Sequence, residues 1–189
     1  MKINDYISKI KNLGACGEAI EAAHNYTTSQ ELWDDCKRGD WMLWLAGKLS
    51  GEPEGEKRKR LVLTACKCAR LSLVYVKDGE LRPLKAIETA EKWAKGEDGV
   101  SIQDVREAAD AAVSAADAAY AASAASAAYA AYAAAAASAA SAGGAAAYVA
   151  DAAADAAYAK PKKLAKCSDI VREYYPDVDV LFGTERIEK

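Results

Sequence analysis

Apolar residues recur along this chain at steps of three and four, and the strict alternation of a half-buried strand is nearly absent. Asn4 or Asp5 can cap a first helix that runs to Leu13 and stops at Gly14, and a second spans Ala15 to about His24. Thr28-Ser29-Gln30-Glu31 has the spacing of a capping box ahead of Leu32-Trp33. In Arg38-Gly39-Asp40-Trp41, Gly39 is read as turning the chain and Asp40 as capping a helix that ends near Gly51. From Glu56 to Val76 there is no Gly or Pro, and Val62, Cys66, Ala69, Leu73 and Val76 repeat at helical steps. Leu61, Leu63, Leu71 and Val74 fill its other sides, so this stretch is expected to be one long central helix, apolar almost all round. Pro83 opens another helix that ends near Gly96, and Ser101 with Asp104 caps the entry to the next.

That next segment changes the composition. The chain has 189 residues, of which 45 are Ala, and 34 of these lie between Ala108 and Ala159. Ala is the best helix former, so regular helices are expected, broken at Gly143-Gly144 into a hairpin of about Ile102–Ala142 against Ala145–Ala159. Its small Ala and Ser faces permit close helix-to-helix approach and would allow a homo-oligomer; Tyr120, Tyr129, Tyr132, Tyr148 and Tyr158 interrupt them. Pro161 then starts a helix with Leu164, Cys167, Ile170, Val171 and Tyr174 on one face, ending at Pro176. Val178 to Phe182 reads as an extended apolar segment that docks, followed by a fraying end. The expected fold class is therefore all-α: one domain over 1–176, a helical bundle with a central apolar helix and a long alanine-rich helical hairpin over about 102–159, and a tail over 177–189.

The net charge of -3 exerts no pull toward nucleic acid or an anionic membrane. Lys57-Arg58-Lys59-Arg60 follows three glutamates at the start of a helix and reads as a solvated, charge-compensated end. Five cysteines at irregular spacing and a polar N-terminal stretch suit a reduced, cytoplasmic protein, and Asp117, Asp151 and Asp155 interrupt the alanine tract too often for a membrane span.

Candidate chemistry narrows quickly. Cys66 and Cys68 diverge by about 200° on a helix, His24 is the only histidine, and no phosphate-binding glycine loop or nucleophile elbow is present. No catalytic residue, metal site or cofactor is expected. What remains is a set of cations and aromatics: Lys67 and Arg70 on the central helix, Tyr75 after it, Arg82, Glu88 and Trp93 on the next helix, and Asp40, Trp41 and Trp44 before it. Packed together, they would form an arginine-lined aromatic pocket for a planar anion or an acidic loop of a partner. The competing expectation is an arginine–carboxylate network that holds helices in register.

The strings RGDWMLWL (38–45), ACKCARL (65–71), RPLKAIETAEKW (82–93), the alanine tract and CSDIVR (167–172) together resemble the alanine-rich immunity proteins, the immunity-protein family five-like group found in bacterial toxin loci and phage genomes. The similarity covers about residues 30–175. It implies a non-enzymatic protein that neutralises a toxin by binding it, and it carries no catalytic residues. The alternative, suggested by the presence of such proteins in phages and by the arginine/tryptophan set, is a phage anti-defence sponge that sequesters a small anionic, nucleotide-derived immune signal. Neither involves nucleic acid or a membrane.

Overall fold

The computed structural model describes residues 1–52, 54–121 and 160–183, without the side chains of 116–121 and 160. Among the described residues there are nine α-helices and no strand, and an isolated bridge between Lys2 and Thr28 is the only β pairing. The helices are α1 (Ile3–Asn12), α2 (Gly17–Ala23), α3 (Ser29–Asp35), α4 (Gly39–Lys48), α5 (Glu56–Arg70), α6 (Arg82–Lys95), α7 (Ile102–Ala121), α8 (Lys160–Tyr174) and α9 (Val178–Leu181). The fold is all-α. The expected hairpin over 102–159 lies outside the described residues beyond Ala121, as does any contact its faces would make.

Local signals act largely as their chemistry dictates. The Thr28 hydroxyl accepts the Glu31 N–H at 3.2 Å, and the Glu31 carboxylate accepts the Thr28 N–H at 3.2 Å, closing the capping box of α3. The Thr27 hydroxyl bonded to Glu31 does most to hold that carboxyl below its ordinary pKa. Ser101 and Asp104 bond reciprocally in the same way ahead of α7. Gly96 ends α6 in the left-handed conformation at φ 71°, with the Glu97 N–H reaching back to the Lys92 carbonyl at 3.0 Å.

Four expectations are corrected. The long central helix stops at Arg70: the Ser72 N–H and hydroxyl both donate to the Ala69 carbonyl, at 2.9 and 2.6 Å, in i→i−3 fashion, and the chain tightens into a 3-10 turn over Leu73–Tyr75. Asp40 does not cap α4: the helix begins at Gly39, and Asp40 sits in its first turn, bound to Arg38. Gly39 is not a turn residue either. A Cβ placed there would come within 2.5 Å of Cys167 Cβ and 2.8 Å of the Leu164 carbonyl oxygen, so glycine is what lets α4 press against α8. Residues 177–183 are not a separate tail: Asp177 caps α9, a helix rather than an extended segment, and Val178 and Leu181 are buried in the common core.

Helix α5 packs against α4, α6 and α8, and its Leu61, Val62, Ala65, Cys66, Cys68 and Ala69 are fully buried. Cys66 donates weakly to the Ile87 carbonyl on α6 at 3.8 Å, and the Cys68 thiol neighbours the buried Cys167 thiol on α8. The two cysteines thus diverge, as their spacing requires. The Cys167 thiol beside it and burial hold the Cys68 thiol well above its ordinary pKa, and burial does most to raise that of Cys66. Helices α6 and α7 meet through Ala86, Ala108 and Ala112.

The first third of the chain is tied to the last helices by buried and partly buried polar links. Trp33 Nε1 donates to the Tyr175 carbonyl at 2.8 Å, and both terminal nitrogens of Arg172 donate to the Cys36 carbonyl at 3.1 Å. The Met1 ammonium pairs with Asp179 and donates to the Ser29 hydroxyl at 2.9 Å.

Candidate functional site

The anticipated residues do not gather into one pocket. Arg70 on α5 donates through Nε and Nη2 to the Glu91 carboxylate on α6 at 2.9 and 2.7 Å, a fork-to-fork pair joining two helices. Glu88, one turn earlier on α6, is exposed and adds to the negative field at Arg70. Trp93 is buried in the core beside this pair's helix, 8% exposed, and presents no open face. Arg82 folds onto Glu80 at 2.8 Å through Nε, within its own turn, and its guanidinium holds the Glu80 carboxyl down to a pKa of about 2. Lys67 pairs with Glu173 on α8 and lies 5.6 Å from the centre of the Tyr174 ring. Tyr75 receives Lys163 Nζ at 5.8 Å from its ring centre. Of the two expectations for the arginines, the Arg70–Glu91 pair has the form of a register-holding link between helices, whereas Arg82, paired within its own turn, joins no second helix.

Asp40, Trp41 and Trp44 do come together, in a different place. Helices α1 to α4 enclose an open apolar groove of about 410 Å³. Trp41 and Trp44 form one wall, one turn apart on α4; Tyr6 and Ile10, also one turn apart on α1, form the opposite wall, and Leu32 and Trp33 on α3 contribute to the lining. Trp33 is 2% exposed and anchored by its bond to Tyr175, whereas Trp41 and Trp44 are only half-buried and offer ring surface to solvent. None of Lys67, Arg70, Tyr75, Arg82, Glu88 or Trp93 lines this groove.

A polar clamp sits at its edge. Arg38 stacks on the Trp41 ring at 4.2 Å while donating Nε and Nη2 to the Asp40 carboxylate at 2.9 and 2.6 Å, and it reaches Glu18 on α2 at 3.6 Å. The Arg38-Gly39-Asp40 tripeptide is thereby closed on itself, with its glycine under α8. Cys36 also lines the groove, its thiol raised above the ordinary value mainly by burial.

Tyr6, Ile10, Ala15, Ala19, Leu32, Trp33, Cys36, Met42 and Leu45 line the groove and were left out by sequence reasoning, as was Arg38 at its edge. The signal was present in the Tyr6/Ile10 and Trp41/Trp44 spacings, each of which puts two rings or branched chains on one helix face. What the sequence did not show is that α1 lies opposite α4.

Among the described residues, no cluster of three His, Cys, Asp or Glu side chains comes together to hold a metal ion, and no helix is long and apolar enough to cross a membrane. No protein-family model, curated protein or solved structure matches the chain.

Proposed function

We propose that this is a non-enzymatic neutralising protein of the immunity type, acting in the cytoplasm, which binds a toxin and blocks it, as the resemblance of its sequence implies. The groove of α1 to α4 is the proposed contact surface. The observation that carries this reading is the pair of half-buried tryptophans, Trp41 and Trp44, set one helical turn apart beside an arginine already fixed by Asp40. Tryptophan, tyrosine and arginine held rigidly around an apolar depression are the groups that dominate protein–protein binding energy, because they bury large area with little loss of conformational freedom.

The competing reading, a sponge for an anionic nucleotide-like signal, asks Arg70 and Arg82 to receive phosphate charge. Both guanidinia already carry a bidentate carboxylate from this chain, Glu91 and Glu80 respectively. A phosphate would have to displace a formed, charge-assisted pair rather than satisfy an open one.

The experiment is a complex-formation and growth-protection assay against a panel of bacterial toxins, with wild-type protein and the Trp41→Ala/Trp44→Ala double variant. Protection and a one-to-one complex, both lost in the folded double variant, are the expected outcome. Thermal-shift and calorimetric titration with cyclic dinucleotides, ADP-ribose derivatives and simple nucleotides is run alongside. A sub-micromolar one-to-one hit abolished by Arg70→Ala or Arg82→Ala would overturn neutralisation in favour of the sponge.

A further inference from the structure

At the C-terminal end of α4, the first turn of α5 and the turn of α9 border a second, smaller notch of about 300 Å³. Ala46 of α4, Leu49 just after it and Leu181 of α9 make its apolar floor, beside the Tyr175 ring. Lys57 and Arg60 line its rim, and both are exposed. The notch shares no lining residue with the groove.

The basic run that opens α5 separates into different roles here. Arg58 turns inward, 7% exposed, and donates to the Gly51 carbonyl at 2.8 Å, which corrects the expectation of a uniformly solvated end. Lys59 is compensated by Glu56 at 3.0 Å. Lys57 and Arg60 have no carboxylate partner among the described residues; Arg60 lies over the Tyr175 ring at 5.9 Å, and Lys57 has no ion pair. Three residues apart on one helix, they share a face and stand about 5–6 Å from each other at Cβ. Two uncompensated cations therefore border an apolar depression, beside Val180, which is itself 48% exposed.

We propose that this notch is a second binding site, which takes an acidic segment of a partner protein: one aliphatic side chain seated on the Leu49/Leu181 floor, with a carboxylate on each side meeting Lys57 and Arg60. The occupant follows from charge complementarity and from the floor. A bare inorganic anion would use the two cations and leave the apolar surface wet. The site does not depend on the neutralisation reading.

The test is a ¹⁵N–¹H NMR titration of the full chain with three probes: the acetylated tripeptide amide Asp-Leu-Glu, its neutral counterpart Asn-Leu-Gln, and inorganic phosphate. The acidic peptide is expected to give saturable shifts at the amides of Ser50, Lys57, Arg60 and Leu181 at millimolar concentration, the neutral one none. Lys57→Ala/Arg60→Ala should weaken the acidic peptide about tenfold, the loss of two rim ion pairs. Because Arg60 touches Tyr175, Lys57→Glu alone, at an exposed position without a partner, serves as the second variant and should also weaken binding. Equal shifts from both peptides, no shifts, or shifts elsewhere overturn the proposal. Phosphate reproducing the peptide's shifts overturns it in favour of a small-anion site.

Discussion

Helix α4 meets the rest of the molecule in two contrasting ways. Toward α8 it offers Gly39, and the backbones close until a single added carbon would collide with Cys167 and Leu164. Toward α1, α2 and α3 it offers Trp41 and Trp44, and the junction stays open as a groove. Both faces are apolar and both contribute to one core, so hydrophobicity does not distinguish them. Side-chain size and rigidity do: glycine, serine and cysteine let two helices interlock without voids, whereas indole rings hold their neighbours apart and leave ring surface uncovered. The closed junction fixes how α4 and α8 sit together, and the open one leaves the groove on which the proposed contact rests.

The contrast can be broken most severely in the core that both faces share. Leu61→Ala, at a fully buried position on α5, should cost about 2–5 kcal/mol in urea unfolding, the range for deleting a core leucine. A loss well under 1 kcal/mol would mean that α5 is not central. Gly39→Ala comes next, at about 1–3 kcal/mol, because the added methyl has backbone atoms rather than a flexible side chain in its way. If Gly39→Ala were neutral in chemical denaturation, α4 and α8 would be further apart than described here.

The ionic rim should matter less than the packing beneath it. The Arg70 side chain is 39% exposed, so Arg70→Ala is expected to cost about 1 kcal/mol or less, solvent having screened the pair with Glu91. A thermal-denaturation loss of 3–5 kcal/mol would instead mark the pair as a buried ionic lock. The smallest effect belongs to Glu80. Its carboxyl is held down chiefly by the Arg82 side chain, from the ordinary 4.5 to about 2, so the stabilisation from this pair is complete above pH 4.5 and is lost as the pH falls toward 2. In a ¹³C carboxyl titration of Glu80, the midpoint should lie near 2 and return to the ordinary range in Arg82→Ala; an ordinary midpoint in the wild type would show that the pair does not persist in solution.

The helical class, the capping box at Thr28, the Gly96 stop and the central position of residues 61–69 were all legible in the sequence, because each rests on interactions within a few residues. The arginine partners were half legible. A helix carrying Arg70 beside buried positions requires a carboxylate, but nothing local chooses Glu91 over Glu88, which sits one turn away on the same helix. The groove was not legible as a whole, since it depends on α1 lying across from α4. The role of Gly39 was misread for the same reason: a glycine in an Arg-Gly-Asp string looks like a turn until the helix that covers it is in place.

Trp33 is bonded to Tyr175, 142 positions later, and Cys36 is closed by Arg172, 136 positions later. On the ribosome, at roughly 5–20 residues per second, α3 and α4 must therefore wait on the order of ten seconds for the partners that satisfy their buried groups. Throughout that interval the Trp33 indole and the bare Gly39 face of α4 are uncovered in the nascent chain. The last-made helices, through Gly39 and Trp33, decide when the first-made ones become native.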